Sequence, residues 1–284
     1  MNCVRQILIF LHISIGLNLS FAQSIVPHFE TLDVENGLSQ NSVYRIYQDK
    51  KGFMWFGTAD GLNRYDGENI RVFKSINPTL TRANSNFIRG WLCEDKQGRI
   101  WFANETGIYF FNPIKEQVEQ AYDFLTDTQS GFVYYTAMLL DKNENLWLVN
   151  PGKGLVRFSI RSRQFKVIDY PESIKDNEYG SFPQPGNRHI YLHFSNRPGV
   201  LRFNIKTEEY DWVLQDYDNV FVRAEQQKLI VSQNEKLFYY DSTKSELRSI
   251  PIQAKGLIIQ VLIDSFGRYW IGTMGDGLHT YSPD

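Results

Sequence analysis

Three tryptophans, Trp55, Trp101 and Trp147, stand 46 residues apart, twice over, and a fourth, Trp270, follows 123 residues after the third. Each lies inside a recurring phrase. DKKGFMWFGTADGLNRYD runs from Asp49 to Asp66, DKQGRIWFANETGIYFFN from Asp95 to Asn112, and DSFGRYWIGTMGDGLHTY from Asp264 to Tyr281. A looser copy runs from Phe132 through Asp141 and Trp147 to Phe158. The interval of 123 residues divides into three of 41, so two weaker copies are expected inside it. Ile190 to Asn204 and Leu229 to Asp241 meet that expectation, both without the tryptophan. Six copies of about 43 residues account for nearly the whole chain after its first segment.

Within a copy the pattern is a meander of short strands. Ser42 to Gln48, Phe53 to Thr58, Leu62 to Tyr65 and Ile70 to Lys74 are separated by turns rich in Gly and Asp. Asp-Gly pairs supply the positive φ angles that tight hairpins need. Helical repeats of similar period are excluded, because the strands are too short and the glycines too frequent. The chain holds 20 Phe, 16 Tyr and 6 Trp, residues that suit pleated, half-buried surfaces. A repeating four-stranded unit of this length predicts an all-β protein, a β-propeller of about six four-stranded blades. The blades are placed near residues 41–74, 86–122, 132–170, 188–213, 219–250 and 258–284.

The first 22 residues read as an export signal. Arg5 precedes an apolar stretch from Ile7 to Leu19, and Ser20 and Ala22 place small residues before a cleavage site after Ala22. The stretch is too short and too interrupted for a spanning helix. The expected location is therefore periplasmic or secreted, with residues 23–284 as one propeller domain. Cleavage leaves Cys93 as the one remaining cysteine, so no internal disulfide is expected. A net charge of −2 offers no basic surface and argues against nucleic acid as a partner.

The phrase from Gly37 to Asp66 (GLSQNSVYRIYQDKKGFMWFGTADGLNRYD) closely resembles the two-component regulator propeller repeat. The resemblance is strong in copies one and six, good in two and three, and weak in four and five. It implies a periplasmic sensor domain of a hybrid histidine kinase, with a membrane sensor kinase or a further propeller domain as partner. Such sensors usually carry more blades, then a β-sandwich, a membrane helix and a kinase, none of which follows Asp284. A truncated fragment of a longer sensor is accordingly one alternative.

The repeated residues are expected to be scaffold. A tryptophan at one strand position in each good copy (Trp55, Trp101, Trp147, Trp270) packs between neighbouring sheets. Asp49, Asp95, Asp141 and Asp264 start turns, where a carboxylate bonds nearby amides. The positions that vary between copies are the candidates for ligand binding. They fall where strand a begins and where strands b and c join: Asn41, Asp60, Arg64, Arg89, Asn104, Glu105, Tyr134, Asn150, Lys153, Arg197 and Asp276. In a propeller both kinds of loop face one end of the central channel. A funnel of amides, charges and aromatics suits an oligosaccharide or another small polar ligand.

No cofactor or metal is expected. His189 and His193 share the spacing of a zinc helix, but on a strand they stand about 13 Å apart at about 3.3 Å per residue, too far for one ion. No catalytic residue is assigned, because nucleophile signatures are absent and Cys93 lies in a buried-looking strand. The enzymatic alternative is a stand-alone propeller of the streptogramin lyase type, with His279 and Glu105 as base and acid. Finally, residues His28 to Leu32 are expected to pair beside Leu278 to Tyr281, completing the last blade and closing the ring.

Overall fold

The computed structural model describes residues 31–74, 86–104, 106–124, 138–150, 153–174, 184–185, 189–194, 197–215, 220–225, 228–241, 244–252 and 254–283. The described residues from Asp33 onward form one compact unit of antiparallel meanders. The first sheet holds β1 (Val43–Gln48), β2 (Met54–Thr58), β3 (Gly61–Tyr65) and β4 (Ile70–Phe73). The second holds β5 (Cys93–Glu94), β6 (Ile100–Asn104), β7 (Gly107–Asn112) and β8 (Gln117–Asp123). The third holds β9 (Met138–Leu140), β10 (Asn145–Asn150), β11 (Gly154–Ser159) and β12 (Phe165–Asp169). In the fourth are β13 (Gln184–Pro185), β14 (His189–Phe194), β15 (Arg197–Asn204) and β16 (Glu209–Leu214). In the fifth are β17 (Val220–Glu225), β18 (Lys228–Gln233), β19 (Lys236–Asp241) and β20 (Glu246–Ile250). The sixth has three strands among the described residues: β21 (Leu257–Ile263), β22 (Tyr269–Met274) and β23 (Leu278–Tyr281).

Strands within each sheet follow chain order, so a to d run from the first strand to the last. Apolar clusters join consecutive sheets. Trp55, Leu62 and Phe73 meet Ile100, Tyr109 and Phe111 between sheets one and two. Trp101 and Phe110 meet Leu146, Leu148 and Phe158 between two and three. Trp147 and Leu155 meet Ile190, Leu201 and Phe203 between three and four. Val200 and Leu214 meet Leu229 and Val231, and Ile230 and Leu237 meet Val261 and Ile271, across the remaining two junctions. Among the described residues no cluster joins sheet six to sheet one.

The turn between strands a and b repeats in detail. Asp49 accepts backbone N–H bonds from Lys51 and Phe53 on Oδ1, and the Trp55 indole N–H on Oδ2 at 2.8 Å. Asp95, Asp141 and Asp264 do the same for Trp101, Trp147 and Trp270 at 2.7, 2.9 and 3.0 Å. One carboxylate thus closes the turn and orients the indole. At the b–c turn of sheet one, Gly61 has φ +128° and a side chain there would strike the Phe73 carbonyl, so only glycine fits.

One strand departs from its expectation. The second copy opens at Asn86, yet regular pairing begins only at Cys93. Residues 86–92 are diverted: the Ile88 N–H bonds the Thr58 carbonyl of the first sheet at 2.8 Å, and Gly90 lies hard against the Ala103 carbonyl. Of the expected closing strand, His28 to Glu30 lie outside the described residues, and Thr31 and Leu32 carry no strand. The export signal and its cleavage point also lie outside the described residues.

Candidate functional site

The b–c turns and the segments leading into the next strand a meet at one end of the sheets. The Ile88 bond to Thr58 makes this contact between sheets one and two. Between sheets five and six, the Ile258 N–H bonds the Asn234 carbonyl at 3.1 Å and the Gly256 N–H bonds Glu235 at 3.2 Å. Polar side chains gather at these points. Asp60 pairs with Lys74 at 2.6 Å and accepts from Asn86 at 3.5 Å. Asp276 accepts the Lys255 N–H at 2.6 Å and faces His279 at 2.8 Å. The amide of Lys255, and then the imidazole, hold the Asp276 carboxyl below its usual range.

Several candidates are engaged in building their own loops. Asn41 Oδ1 accepts the Val34 N–H at 2.9 Å, tying down the segment before the first sheet. Asn104 is buried and its Oδ1 accepts from the Thr106 N–H and hydroxyl at 2.9 and 2.7 Å. Asn150 is also buried, but its Nδ2 has no hydrogen-bond partner among the described residues, and Lys153 nearby is exposed. Arg89 is exposed at the lead-in to the second sheet. Arg197 opens β15. Glu105 and Tyr134 lie outside the described residues.

Arg64 is placed elsewhere. It sits opposite Trp55 in the ladder, towards the a–b turn and away from the b–c turn. Its guanidinium lies 4.8 Å from the Phe53 ring centre and 5.9 Å from that of Phe111, and pairs with Glu116 at 3.5 Å. Arg64 thus does not join the polar groups at the b–c turns: three residues along β3 from that turn, its guanidinium lies in the seam between sheets one and two, against Phe53, Phe111 and Glu116.

Arg45 was not among the expected site residues; it lies on β1 at the end where the b–c turn stands, and partners Gly57. Its guanidinium lies 5.5 Å over the Trp91 ring, and Tyr44 meets Phe87 edge-on at 5.0 Å. Arginine in the opening segments of both the first and second copies was the available signal.

Two titrating groups bear on chemistry. Burial, with the Asp95 charge adding to it, pushes the Cys93 thiol well up and leaves it a poor nucleophile. Burial pushes His193 down to about 4, so it is neutral at pH 7. Among the described residues no group of three His, Cys, Asp or Glu side chains could hold a metal ion. No helix among them is long and apolar enough to cross a membrane.

Antiparallel four-stranded meanders that pack sheet on sheet define the class: an all-β protein with a propeller fold. The family profile described as two component regulator propeller matches residues 37–60 and 83–106, so the resemblance first seen at Gly37–Asp66 holds. Histidine kinase P4 of Formosa agariphila is 36% identical over 72 residues, covering 25% of this chain and 5% of its relative. The extracellular domain of a hybrid two component system from B. thetaiotaomicron superimposes with a TM-score of 0.70 at 20% identity, over 87% of this chain and 36% of that one. Virginiamycin B lyase from Staphylococcus aureus superimposes with a TM-score of 0.64 at 15% identity, over 85% of this chain and 80% of the lyase. The chain thus spans a small part of the kinase and about a third of that extracellular domain.

Proposed function

We propose that this chain is an exported, ligand-sensing β-propeller that recognises a small polar ligand or oligosaccharide and serves a membrane sensor kinase. The observation that carries this reading is the gathering of b–c turns and lead-in segments at one end, where Asp60 meets Asn86 of the following copy, and Asp276 meets Lys255 and His279 within the sixth sheet. The likeness to sensor domains of two component systems supports it. Isothermal titration against an oligosaccharide panel tests it. Lys153→Ala or Asn150→Ala should weaken binding by roughly tenfold, the equivalent of one good hydrogen bond. Lys51→Ala and Gln97→Ala, in the turns at the other end, should leave it unchanged. Equal losses from both ends in folded variants would overturn the reading.

The proposal includes a closed ring of six blades. The outward face of sheet six leaves Leu262, Met274 and Leu278 exposed, and that of sheet one leaves Ile46 and Val72 exposed. Closure through residues 28–32 brings these faces together and supplies the missing outer strand. Deleting residues 23–32 should then lower the melting temperature by several degrees; an unchanged melt would discard closure.

A second reading, a lyase, is favoured by the His279–Asp276 pair, an acid and a base at a b–c turn. Against it, His279 occupies the place of Asn63, whose amide braces Ser39 and the backbone of Phe56 and Gly61. Turnover of a bound ligand would decide for the enzyme.

A further inference from the structure

Arginines on the strands of this protein meet carboxylates. Arg64 and Arg71 face Glu116, Arg157 faces Glu208, Arg202 faces Asp211, and Arg248 faces Asp241 and Glu246. Arg45 is the exception among the strand arginines with described side chains. Its Nη1 donates to the Tyr44 carbonyl at 2.9 Å, but its Nε is buried with no partner among the described residues. No carboxylate of the described residues pairs with it. The charged group near enough to act on it is Arg89, of like sign, and burial together with that charge holds Arg45 below the ordinary arginine value. Arg89 is exposed and also pairs with no carboxylate among the described residues. Burying a guanidinium donor without an acceptor, beside a second positive charge, is costly unless something negative occupies the site.

We propose that the lead-in end of the seam between sheets one and two binds an anionic group, a carboxylate, sulfate or phosphate, between Arg45 and Arg89. Guanidinium donors form a planar fork that matches these oxyanions, and Trp91 holds the Arg45 plane in position. Tyr44, the neighbour of Arg45 along β1, is 38% exposed and meets Phe87 edge-on at 5.0 Å. The inference names a ligand chemistry for the end proposed above as the recognition surface, and rests on that reading for its biological meaning alone. The binding of an anion stands or falls separately.

The test uses the full chain and sodium sulfate, titrated against sodium chloride at matched ionic strength, with heat of binding and Trp fluorescence as readouts. Sulfate should bind saturably where chloride does not. Arg89→Ala, at an exposed position, should keep the fold and weaken sulfate roughly tenfold to hundredfold, the range for a charged hydrogen bond. Arg45→Lys keeps the charge but loses the fork, and should weaken it as well. Glucuronate and glucose 6-sulfate, compared with glucose, then separate a carboxylate source from a sulfate ester. Matched responses to sulfate and chloride, or full sulfate binding by Arg89→Ala, would overturn the proposal. Binding of neutral oligosaccharides alone would overturn it too, while leaving the sensor reading intact.

Discussion

Trp147 and Trp270 make the same hydrogen bond, to Asp141 at 2.9 Å and to Asp264 at 3.0 Å, yet live in different surroundings. Trp147 is 1% exposed, with Phe203 of the next sheet 5.3 Å away. Trp270 is only half-buried, and its neighbours on that face, Leu262, Met274 and Leu278, are 45%, 64% and 53% exposed. On the other face of the same sheet Val261, Tyr269 and Ile271 are sealed against sheet five. The difference separates two functions of one motif. Orienting the indole is local, since Asp and Trp lie six residues apart and share a hairpin. Sealing it requires a following sheet, and the stabilisation comes with the seal.

The largest expected effect follows directly. Trp147→Ala should cost roughly 3–5 kcal/mol in chemical denaturation, as a cavity opens between sheets three and four. With that face as open as the described residues leave it, Trp270→Ala should cost far less; in the closed ring proposed above, residues 28–32 and sheet one cover it and the two costs should come out nearly equal.

The fourth sheet lacks the Trp–Asp module and buries His193 in its b strand instead. Above pH 6.5 the imidazole is neutral in both folded and unfolded chains, so stability is level. Between pH 6.5 and about 4 only the unfolded chain takes the proton, and stability falls, by about 3 kcal/mol in all. Below about 4 both states are charged and this loss ends. Denaturation curves across that range should show the slope, and His193→Phe should flatten it. An unaltered slope in the variant would assign the pH dependence elsewhere.

The smallest effect belongs to the open face. On the face as the described residues leave it, Leu278→Ser should change stability by no more than about 0.5 kcal/mol, as exposed substitutions do; the closed ring proposed above predicts a loss several times larger, because it buries this leucine.

Much of the fold was legible because its decisive interactions are short-range. The Asp turn, the Gly61 turn and strand alternation each involve residues within one copy, so they leave a mark at fixed spacing. The candidate site was legible only in outline. Asp60 and Asp276 reach the expected end, where their partners lie in lead-in segments. Asn41 and Asn104 are taken up by their own loops, and Arg64 faces the seam between sheets. A polar residue beside a turn looks the same in the sequence whether it faces solvent or braces a backbone amide.

By itself, then, the sequence determined the repeat, the strand order and the Asp-to-Trp hairpin, because each is settled by neighbours along the chain. The tertiary structure alone decided which indoles are sealed, why Arg64 lies between Phe53 and Phe111, and that Arg45 comes near Arg89, 44 positions on. Those contacts cross from one sheet to the next, and no spacing within a copy encodes what the following sheet presents.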